Sequence, residues 1–275
     1  MTCRDPAGHC TQVMCEISGC PWPCCGHVHS EQAGGYCSDC PDMKTKREGG
    51  MDARQINDPV MRQRFEDDSE RATTREFWAG REGNDYHQRQ TVTLESNTAL
   101  FGRILTMTDG VRSIAELGAG TGLNLKAIKE LNKRYLVGYD FELCGVEINP
   151  DAVREILAIG GGVIGVESAV QDWRPVRKFD LTFTKGLLIH IPPEELSDVY
   201  ETLVNASSKY VCVIEYFNPT PVEVDYRGQA GRLWKRDFAG ELMDRHHLKL
   251  VDYGFVWKRD PHAQDNVTWF LLEKP

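Results

Sequence analysis

The stretch Glu116-Leu-Gly-Ala-Gly-Thr-Gly122 decides the fold, because it lies where a strand should turn into a helix. The short run Ser113–Leu117 predicts a buried strand, and the apolar residues within Leu123–Leu131 recur at helical spacing. Glycine at 118 and 120 lets the connecting loop pass close to a flat ligand at the carboxyl edge of a sheet. The stretch therefore predicts the first strand, ligand loop and helix of an α/β domain.

The rest of the chain repeats this alternation, which is typical of a parallel sheet covered by helices. The further predicted strands are Leu143–Ile148, Gly162–Val166, Phe179–Thr184 and Tyr210–Phe217. The further predicted helices are Pro150–Ala158, Pro193–Ala206 and Asp237–Asp244. Two extended runs, Leu248–Trp257 and Val267–Glu273, then predict an antiparallel hairpin. The expected fold is a Rossmann-like α/β sheet with a C-terminal antiparallel hairpin, preceded by a small Cys-rich segment.

Composition limits the class of protein. The 275 residues are 41% hydrophobic and 27% charged, without an apolar run near the roughly 18 residues that cross a bilayer. We therefore expect a soluble globular protein without a membrane span. The net charge of -9 disfavours nucleic acid as a partner. The first residues lack the basic start and apolar centre of a signal peptide, so we expect a cytoplasmic protein.

Eight of the ten cysteines lie in the first 40 residues, which are poor in aliphatic side chains. Such a segment needs a covalent or metal staple to become ordered. A reducing compartment favours zinc, because the two-residue gap between Cys37 and Cys40 suits a tetrahedral ion. The candidate zinc ligands are Cys20, Cys24, Cys25, His27, His29, Cys37 and Cys40. A disordered or redox-sensitive leader, and a disulfide-bonded one, remain alternatives.

The chain divides into three predicted parts. Residues 1–45 form the Cys/His-rich zinc-binding segment, 46–95 a linker and helical lid, and 96–275 the α/β domain. The lid is predicted from Phe77-Trp78 and Tyr86, which precede the domain and are placed to cover the ligand, with packing onto the sheet as the alternative.

Two acids indicate which ligand the glycine loop binds. Glu116 precedes the glycines and is placed to meet a cationic amine, and Glu147 ends the second strand, where its two carboxylate oxygens can accept both hydroxyls of a ribose. An acid for a cationic amine points to S-adenosylmethionine and not to a dinucleotide. A solvated glutamate at a strand end is the alternative for Glu147.

Gln171-Asp172-Trp173 follows the third strand and can supply an acceptor for the adenine amino group, with Trp173 as a cover or as plain core. The predicted cofactor-binding residues are Trp78, Glu116, Gly118, Ala119, Gly120, Thr121, Gly122, Glu147, Ile148, Gln171, Asp172, Trp173 and Lys185.

Residues 95–275 resemble the class I S-adenosylmethionine-dependent methyltransferases. The resemblance rests on the glycine stretch Glu116–Gly122, on Val146-Glu-Ile-Asn149 and on the terminal hairpin. Four further stretches resemble the bacterial methylases associated with pseudaminic acid biosynthesis. They are Phe77-Trp-Ala-Gly80, Thr184-Lys-Gly-Leu-Leu-Ile-His-Ile-Pro192, Glu215-Tyr-Phe-Asn-Pro219, and Tyr226-Arg-Gly228 with Lys235-Arg-Asp-Phe238. The resemblance implies methyl transfer and, less directly, a nonulosonic sugar as acceptor. The Cys-rich leader departs from the family pattern.

Loops after the fourth and fifth strands should face the transferred methyl group. His190 is a candidate general base, with a structural histidine as the alternative. The other candidate catalytic residues are Lys185, Glu215 and Tyr216. The candidate substrate-binding residues are Tyr86, His190, Glu215, Asn218, Tyr226, Arg227, Lys235 and Arg236. The cations among them favour an anionic acceptor, with surface salt bridges as the alternative.

We therefore expect a methyltransferase that acts on an oxygen or nitrogen of a small polar molecule. One alternative is a methyltransferase whose zinc-bound leader docks a peptide, a carrier or RNA. Residues 1–48 hold six acids and four bases, which disfavours RNA. The other alternative is a non-catalytic scaffold that binds S-adenosylmethionine or zinc.

Overall fold

The computed structural model describes residues 74–89, 91–135, 141–228 and 230–275, all within the compact unit Arg64–Pro275. The strands are β1 (Ser113–Leu117), β2 (Glu142–Glu147), β3 (Ile164–Glu167), β4 (Phe179–Lys185), β5 (Ser207–Glu215), β6 (Val222–Glu223), β7 (Trp234–Lys235), β8 (Lys249–Val256) and β9 (Val267–Glu273). The helices are α1 (Arg81–Arg89), α2 (Leu94–Thr106), α3 (Leu123–Tyr135), α4 (Pro150–Ala158), α5 (Leu196–Ala206) and α6 (Phe238–His246), with a 3-10 helix at Leu188–His190. Residues 74–79 are also helical.

The main sheet has the order β3-β2-β1-β4-β5-β9-β8. The first five strands in this order are parallel, and β9 pairs antiparallel with both β5 and β8. The predicted Rossmann-like sheet with a C-terminal antiparallel hairpin is thereby confirmed. The strands β6 and β7 form a separate two-stranded ribbon.

Two apolar layers enclose the sheet. In β5, Val211 and Val213 pack with α5 and α6 on one face, whereas Cys212 and Ile214 pack with α2 and α3 on the other. This period of two is the one expected of a strand covered on both faces. Cys212 and Cys144 are buried free thiols.

Several predicted boundaries differ from the observed ones by two or more residues, and two of these differences have a visible cause. Helix α5 begins at Leu196 and not at Pro193, because the backbone of Glu195 closes a turn on the Pro192 carbonyl (2.9 Å). Strand β5 ends at Glu215 and not at Phe217, because Phe217 leaves the main sheet to bridge Arg236. No helix among the described residues combines the length and apolar composition needed to cross a bilayer.

Candidate functional site

A cavity of about 390 Å³ opens at the carboxyl ends of the parallel strands. Its lining comes from the loops after β1 to β6, from residues 74–89 and 91–97 and from the turn between β8 and β9. The predicted site residues that it brings together are Trp78, Tyr86, Gly118, Ala119, Gly120, Thr121, Glu147, Ile148, Gln171, Lys185, His190, Glu215, Tyr216, Tyr226 and Arg227.

The glycine loop is held against the next strand. The backbone N–H groups of Gly118 and Ala119 donate to the Val146 carbonyl at 2.8 and 3.0 Å. Gly118 has a φ of +73°, and a Cβ there would lie 2.7 Å from Leu187 Cδ1. Glycine is therefore required at 118 both for its backbone conformation and for the close approach of the loop after β4.

The carboxylate of Glu147 is fixed by two backbone donors. Its Oε2 accepts from the Gly120 N–H at 2.8 Å, and its Oε1 accepts from the Asn149 N–H at 2.9 Å. The side chain is 9% exposed and lines the cavity. Because a carboxylate oxygen accepts more than one hydrogen bond, both oxygens keep capacity for ligand hydroxyls.

Glu116 lies fully buried beside the cavity, and its Oε1 accepts from the Asn124 side-chain amide. Its Oε2 and the Asn124 Oδ1 have no hydrogen-bond partner in the part of the chain that the structure describes. Burial raises the pKa of Glu116 to about 8, against the opposing effects of Asn124 and of the nearby Lys185 ammonium. Buried acceptors without donors are costly, so this corner fits a ligand that brings a cationic donor.

Lys185 ends β4 and lines the cavity. Burial lowers its pKa, and the charges of Glu116, Glu215 and Asp265 oppose that shift. Glu215 ends β5, and its Oε1 accepts from the Leu187 and Leu188 N–H groups, each at 3.1 Å. Burial raises the pKa of Glu215 to about 7, although these backbone donors oppose the shift. A partly buried cation at the end of β4 thus lies near Glu116 of β1, Glu215 of β5 and Asp265 of the turn before β9.

His190 has a defined tautomer. Its Nδ1 lies 2.7 Å from the Arg232 carbonyl oxygen, which can only accept, so Nδ1 carries the proton and Nε2 is an acceptor. Burial lowers the pKa of His190 to about 4, against the effect of that hydrogen bond. The imidazole is therefore neutral at physiological pH.

Aromatic rings cover one side of the cavity. The Trp78 ring centroid lies 4.5 Å from that of His190, 5.8 Å from that of Tyr86 and 6.0 Å from that of Tyr226. The buried Trp78 Nε1 has no acceptor among the described residues. The sequence predicts Trp78 and Tyr86 to cover the ligand or to pack on the sheet, and the Trp78 ring contacts the other three rings beside the cavity.

Asn149 supports the elements around the cavity without lining it, and the sequence analysis missed the role of its side chain. Its Oδ1 caps α4 by accepting from the backbone of Asp151 and Ala152. Its Nδ2 donates to Asn84 Oδ1 at 2.9 Å and lies 3.3 Å from the Gly80 carbonyl. Asn149 thereby joins helical segment 74–89 to the end of β2. The proline after it marks a helix start, which was the available signal.

Several predicted site residues lie away from the cavity lining. Trp173 is core, with its ring 6.1 Å from that of Phe179, and Asp172 forms an ion pair with Arg75 at 2.9 Å. Gly122 packs against the end of α4, because a Cβ there would lie 2.7 Å from Ile159. The close approach of Ile159 and the positive φ of +76°, and not ligand contact, explain this glycine.

Three predicted substrate residues also lie outside this lining. Asn218 bonds within its own turn to Thr220, and Arg236 pairs with Glu241 at 2.7 Å. Lys235 lies 5.2 Å from the centre of the Tyr216 ring in a neighbouring hollow. For Arg236 the geometry matches the salt-bridge alternative, with Glu241 as the partner.

The candidate zinc ligands, Cys20, Cys24, Cys25, His27, His29, Cys37 and Cys40, lie outside the described residues. Within the described ranges, no group of three or more His, Cys, Asp or Glu residues could hold a metal ion.

Comparisons with known proteins agree on the fold. No protein-family model matches the sequence, and no curated protein does. The 1,6-didemethyltoxoflavin-N1-methyltransferase of Burkholderia thailandensis, solved with 1,6-didemethyltoxoflavin and S-adenosylhomocysteine, is similar at a TM-score of 0.53. It is 14% identical over 77% of this chain and 89% of its own.

Two further structures have the same TM-score of 0.53. Magnesium protoporphyrin IX methyltransferase from Synechocystis PCC 6803, solved with S-adenosylmethionine, is 13% identical over 75% of this chain and 97% of its own. The glycopeptide N-methyltransferase MtfA, solved with S-adenosylhomocysteine, is 10% identical over 67% and 91%. The chain therefore has the Rossmann-like fold found in these S-adenosylmethionine-dependent methyltransferases.

Proposed function

We propose that this protein is an S-adenosylmethionine-dependent methyltransferase that acts on an oxygen or nitrogen of a small, polar, anionic molecule. The observation that carries the proposal is the placement of two acids around the glycine loop. Glu147 presents a carboxylate fixed by two backbone donors, and Glu116 keeps a buried oxygen without a donor. A ribose and a cationic amine are the groups that these two acids accept.

The other residues at this edge fit the same ligand. Gln171 donates to Glu195, so its carbonyl oxygen is the part of the side chain suited to accept from an adenine amino group. Asp172 is paired with Arg75 and Trp173 is core, so neither belongs to the proposed contacts. Trp78 and Ile148 supply apolar cover, because both line the cavity.

Bound S-adenosylmethionine supplies a methyl group on a positively charged sulfur. Because methyl displacement needs alignment and dry surroundings more than strong acid or base assistance, the protein's main task is to position the acceptor. We assign His190 Nε2 as the acceptor of the proton on the attacking group, since Nδ1 is committed to Arg232. A pKa of about 4 makes it a weak base that orients the nucleophile more than it ionises it.

The remaining candidate residues receive different roles. The Lys185 side chain makes no hydrogen bond or ion pair with another described residue, so we assign its ammonium to an anionic group of the acceptor. Arg227 is an exposed cation at the same cavity and completes this recognition. Glu215 is a positioning residue, because its carboxylate fixes the loop after β4. The Tyr216 hydroxyl donates a hydrogen bond to Asp265 at 2.5 Å.

The proposed function is tested with the Glu147→Gln variant. Calorimetric titration with S-adenosylhomocysteine should show at least about a tenfold loss of affinity, because the amide offers one acceptor oxygen where the carboxylate offers two charged ones. Glu142→Gln is the matched control, since Glu142 begins the same strand, far from the cavity, and is exposed. Wild-type protein that does not bind S-adenosylhomocysteine would exclude the function.

Turnover is tested separately by transfer of a labelled methyl group to a panel of anionic acceptors. The resemblance to methylases associated with pseudaminic acid biosynthesis places carboxylated sugars first in the panel, followed by amino acids. Binding of the cofactor product without transfer to any member would instead favour a non-catalytic binding module.

For residues 1–45 we propose zinc binding on the sequence alone. The eight cysteines and the Cys37-Ser-Asp-Cys40 spacing support it. Metal analysis with native mass spectrometry of the full chain tests this, and metal-free protein purified under reducing, chelator-free conditions would contradict it.

A further inference from the structure

An open hollow of about 610 Å³ lies next to the cavity, and we call it the outer hollow. Its lining residues are Tyr216, Phe217, Lys235, Phe255, Asp265, Asn266 and Thr268. Among these, Tyr216 and Asp265 also line the cavity. The hydrogen bond from the Tyr216 hydroxyl to Asp265 thus lies where the two spaces adjoin.

The sheet register connects the two spaces. Glu215 at the cavity pairs with Thr268 on β9, and Thr268 pairs with Phe255 on β8. Neighbouring strands lie about 4.8 Å apart, so Phe255 is about 10 Å from Glu215 across the sheet. Residues in cross-strand register share a face, so one row of side chains leads from the buried acid to the outer hollow.

The chemistry of the outer hollow is apolar and cationic. Phe217 and Phe255 are 43% and 56% exposed, which is unusual for aromatic side chains placed together. The Lys235 ammonium lies over the Tyr216 ring and forms no ion pair with a described residue. Asp265 is the one acid of this lining, and it accepts from the Tyr216 hydroxyl. Rings beside an unpaired ammonium suit a flat, apolar, negatively charged group.

We propose that the outer hollow binds the distal part of the methyl acceptor, a flat apolar group with an anionic substituent, joined to the polar group that is methylated in the cavity. This deepens the proposed function and rests on it. The cavity then holds the reacting group, and the outer hollow determines which acceptors bind.

The test uses 8-anilinonaphthalene-1-sulfonate, an aromatic anion, as the probe for the full chain in the presence of S-adenosylhomocysteine. Fluorescence titration of Phe255→Ser should show about a tenfold weaker binding than wild type, because the probe loses its main apolar contact. Tyr253→Ser is the matched control. Tyr253 is also an exposed aromatic on β8, at 60%, but stacks on Phe270 outside the outer hollow. Equal affinity for the probe in Phe255→Ser and wild type would overturn the proposal.

The proposed anionic substituent of the acceptor is tested with the Lys235→Gln variant and a neutral probe, N-phenyl-1-naphthylamine. Lys235→Gln should weaken binding of the sulfonate several-fold and leave binding of the neutral probe unchanged. If Lys235→Gln weakens binding of both probes, or of neither probe, the assignment of an anion is overturned. Affinity for S-adenosylhomocysteine, measured on the same samples, reports separately on the proposed function, so the two failures are distinguishable.

Discussion

His190 illustrates how burial changes the chemistry of a single residue. Its Nδ1–H is used by the Arg232 carbonyl, and its ring lies against Trp78 and Tyr226. Protonation would place a second N–H, with a positive charge, among these rings. The folded protein therefore holds the imidazole neutral well below the pH at which an exposed histidine becomes charged.

The sign of the resulting pH dependence is defined. The unfolded imidazole takes up its proton near pH 6.5 and the folded one only near pH 4, so stability is full above 6.5 and falls as the pH drops towards 4. We predict that His190→Asn, which keeps a donor for Arg232, reduces the loss of unfolding free energy between pH 7 and 5 by about 2 kcal/mol. Urea denaturation at both pH values measures this.

His247→Asn is the control, because His247 is exposed and its left-handed backbone (φ +56°) accommodates asparagine. An unchanged pH dependence in His190→Asn would show that the folded imidazole titrates as an exposed one does.

Glu116 produces the opposite dependence of folding stability on pH. Its carboxyl ionises near 4.5 when unfolded and near 8 when folded, so stability is present at low pH and is lost as the pH rises through 8. We predict that Glu116→Gln reduces the loss of unfolding free energy between pH 6 and 9 by about 2 kcal/mol, while weakening S-adenosylhomocysteine binding. Denaturation at both pH values, with the exposed Glu155→Gln as control, measures it. A variant as pH-sensitive as wild type would refute a buried neutral carboxyl.

The sequence predicts single residues best where position along a strand determines their role. Glu147 and Lys185 end strands at the ligand edge, so the pattern alone brings them to the cavity. Trp173 and Asp172 follow β3 in a turn, and no periodicity indicates which way their side chains point. The hydrogen bonds of Asn149 to residues 65 or more positions away depend on tertiary contacts that no local pattern encodes.

At the scale of elements, the connection between segment 74–89 and the end of β2 determines how the cavity is covered. Asn149 caps α4 with its carbonyl oxygen and reaches the segment with its amide nitrogen. The segment in turn contributes Trp78 and Tyr86 to the lining. One side chain therefore links a helix terminus to the predicted lid.

The variant Asn149→Asp separates these two tasks. The carboxylate still accepts from the helix N-terminus, but it replaces a donor with an acceptor beside the Gly80 carbonyl and Asn84 Oδ1. We predict faster hydrogen–deuterium exchange in 81–89 and about a tenfold weaker binding of S-adenosylhomocysteine, with α4 unchanged. Asn149→Ser still caps α4 but places no charge beside the Gly80 carbonyl and Asn84 Oδ1. It should therefore change the exchange rate and the affinity less than Asn149→Asp does. Equal exchange in both variants and wild type would contradict the link.

The elements themselves follow the sequence closely, with ends that depend on their surroundings. Helix α4 and strand β9 begin and end as predicted, because Asn149-Pro150 and the polar turn before Val267 mark their starts. Helix α5 starts late because its prolines lie in a turn before it. Neither β6 nor β7 is predicted, since a two-residue ribbon has too few side chains to show a period.

At the scale of the whole molecule, the proposed ligand-binding residues and the predicted zinc segment are separate in sequence. The described residues already supply the glycine loop and both acids. We predict that removing zinc from the full chain with a chelator changes S-adenosylhomocysteine affinity less than about twofold, the ordinary scatter of such a comparison. Calorimetry before and after chelation measures it, and a large loss would mean that the leader takes part in cofactor binding.

The sequence predicts the architecture of the α/β domain and the edge where its cavity opens. It does not define the acceptor, because the surfaces proposed to recognise it come from separate loops and from the register of β5, β9 and β8. The outer hollow depends on that register and has no local signal.

The strand order carries a consequence for synthesis of the protein. The last strand, β9, lies between β5 and β8, and its Trp269 is fully buried. Until β9 has emerged from the ribosome, β8 has no neighbour in the sheet and the partner edge of β5 is uncovered. The parallel strands can assemble as they emerge, but the sheet is completed only after β9 has been synthesised. Early termination therefore leaves an open apolar edge, which makes truncated chains prone to aggregation.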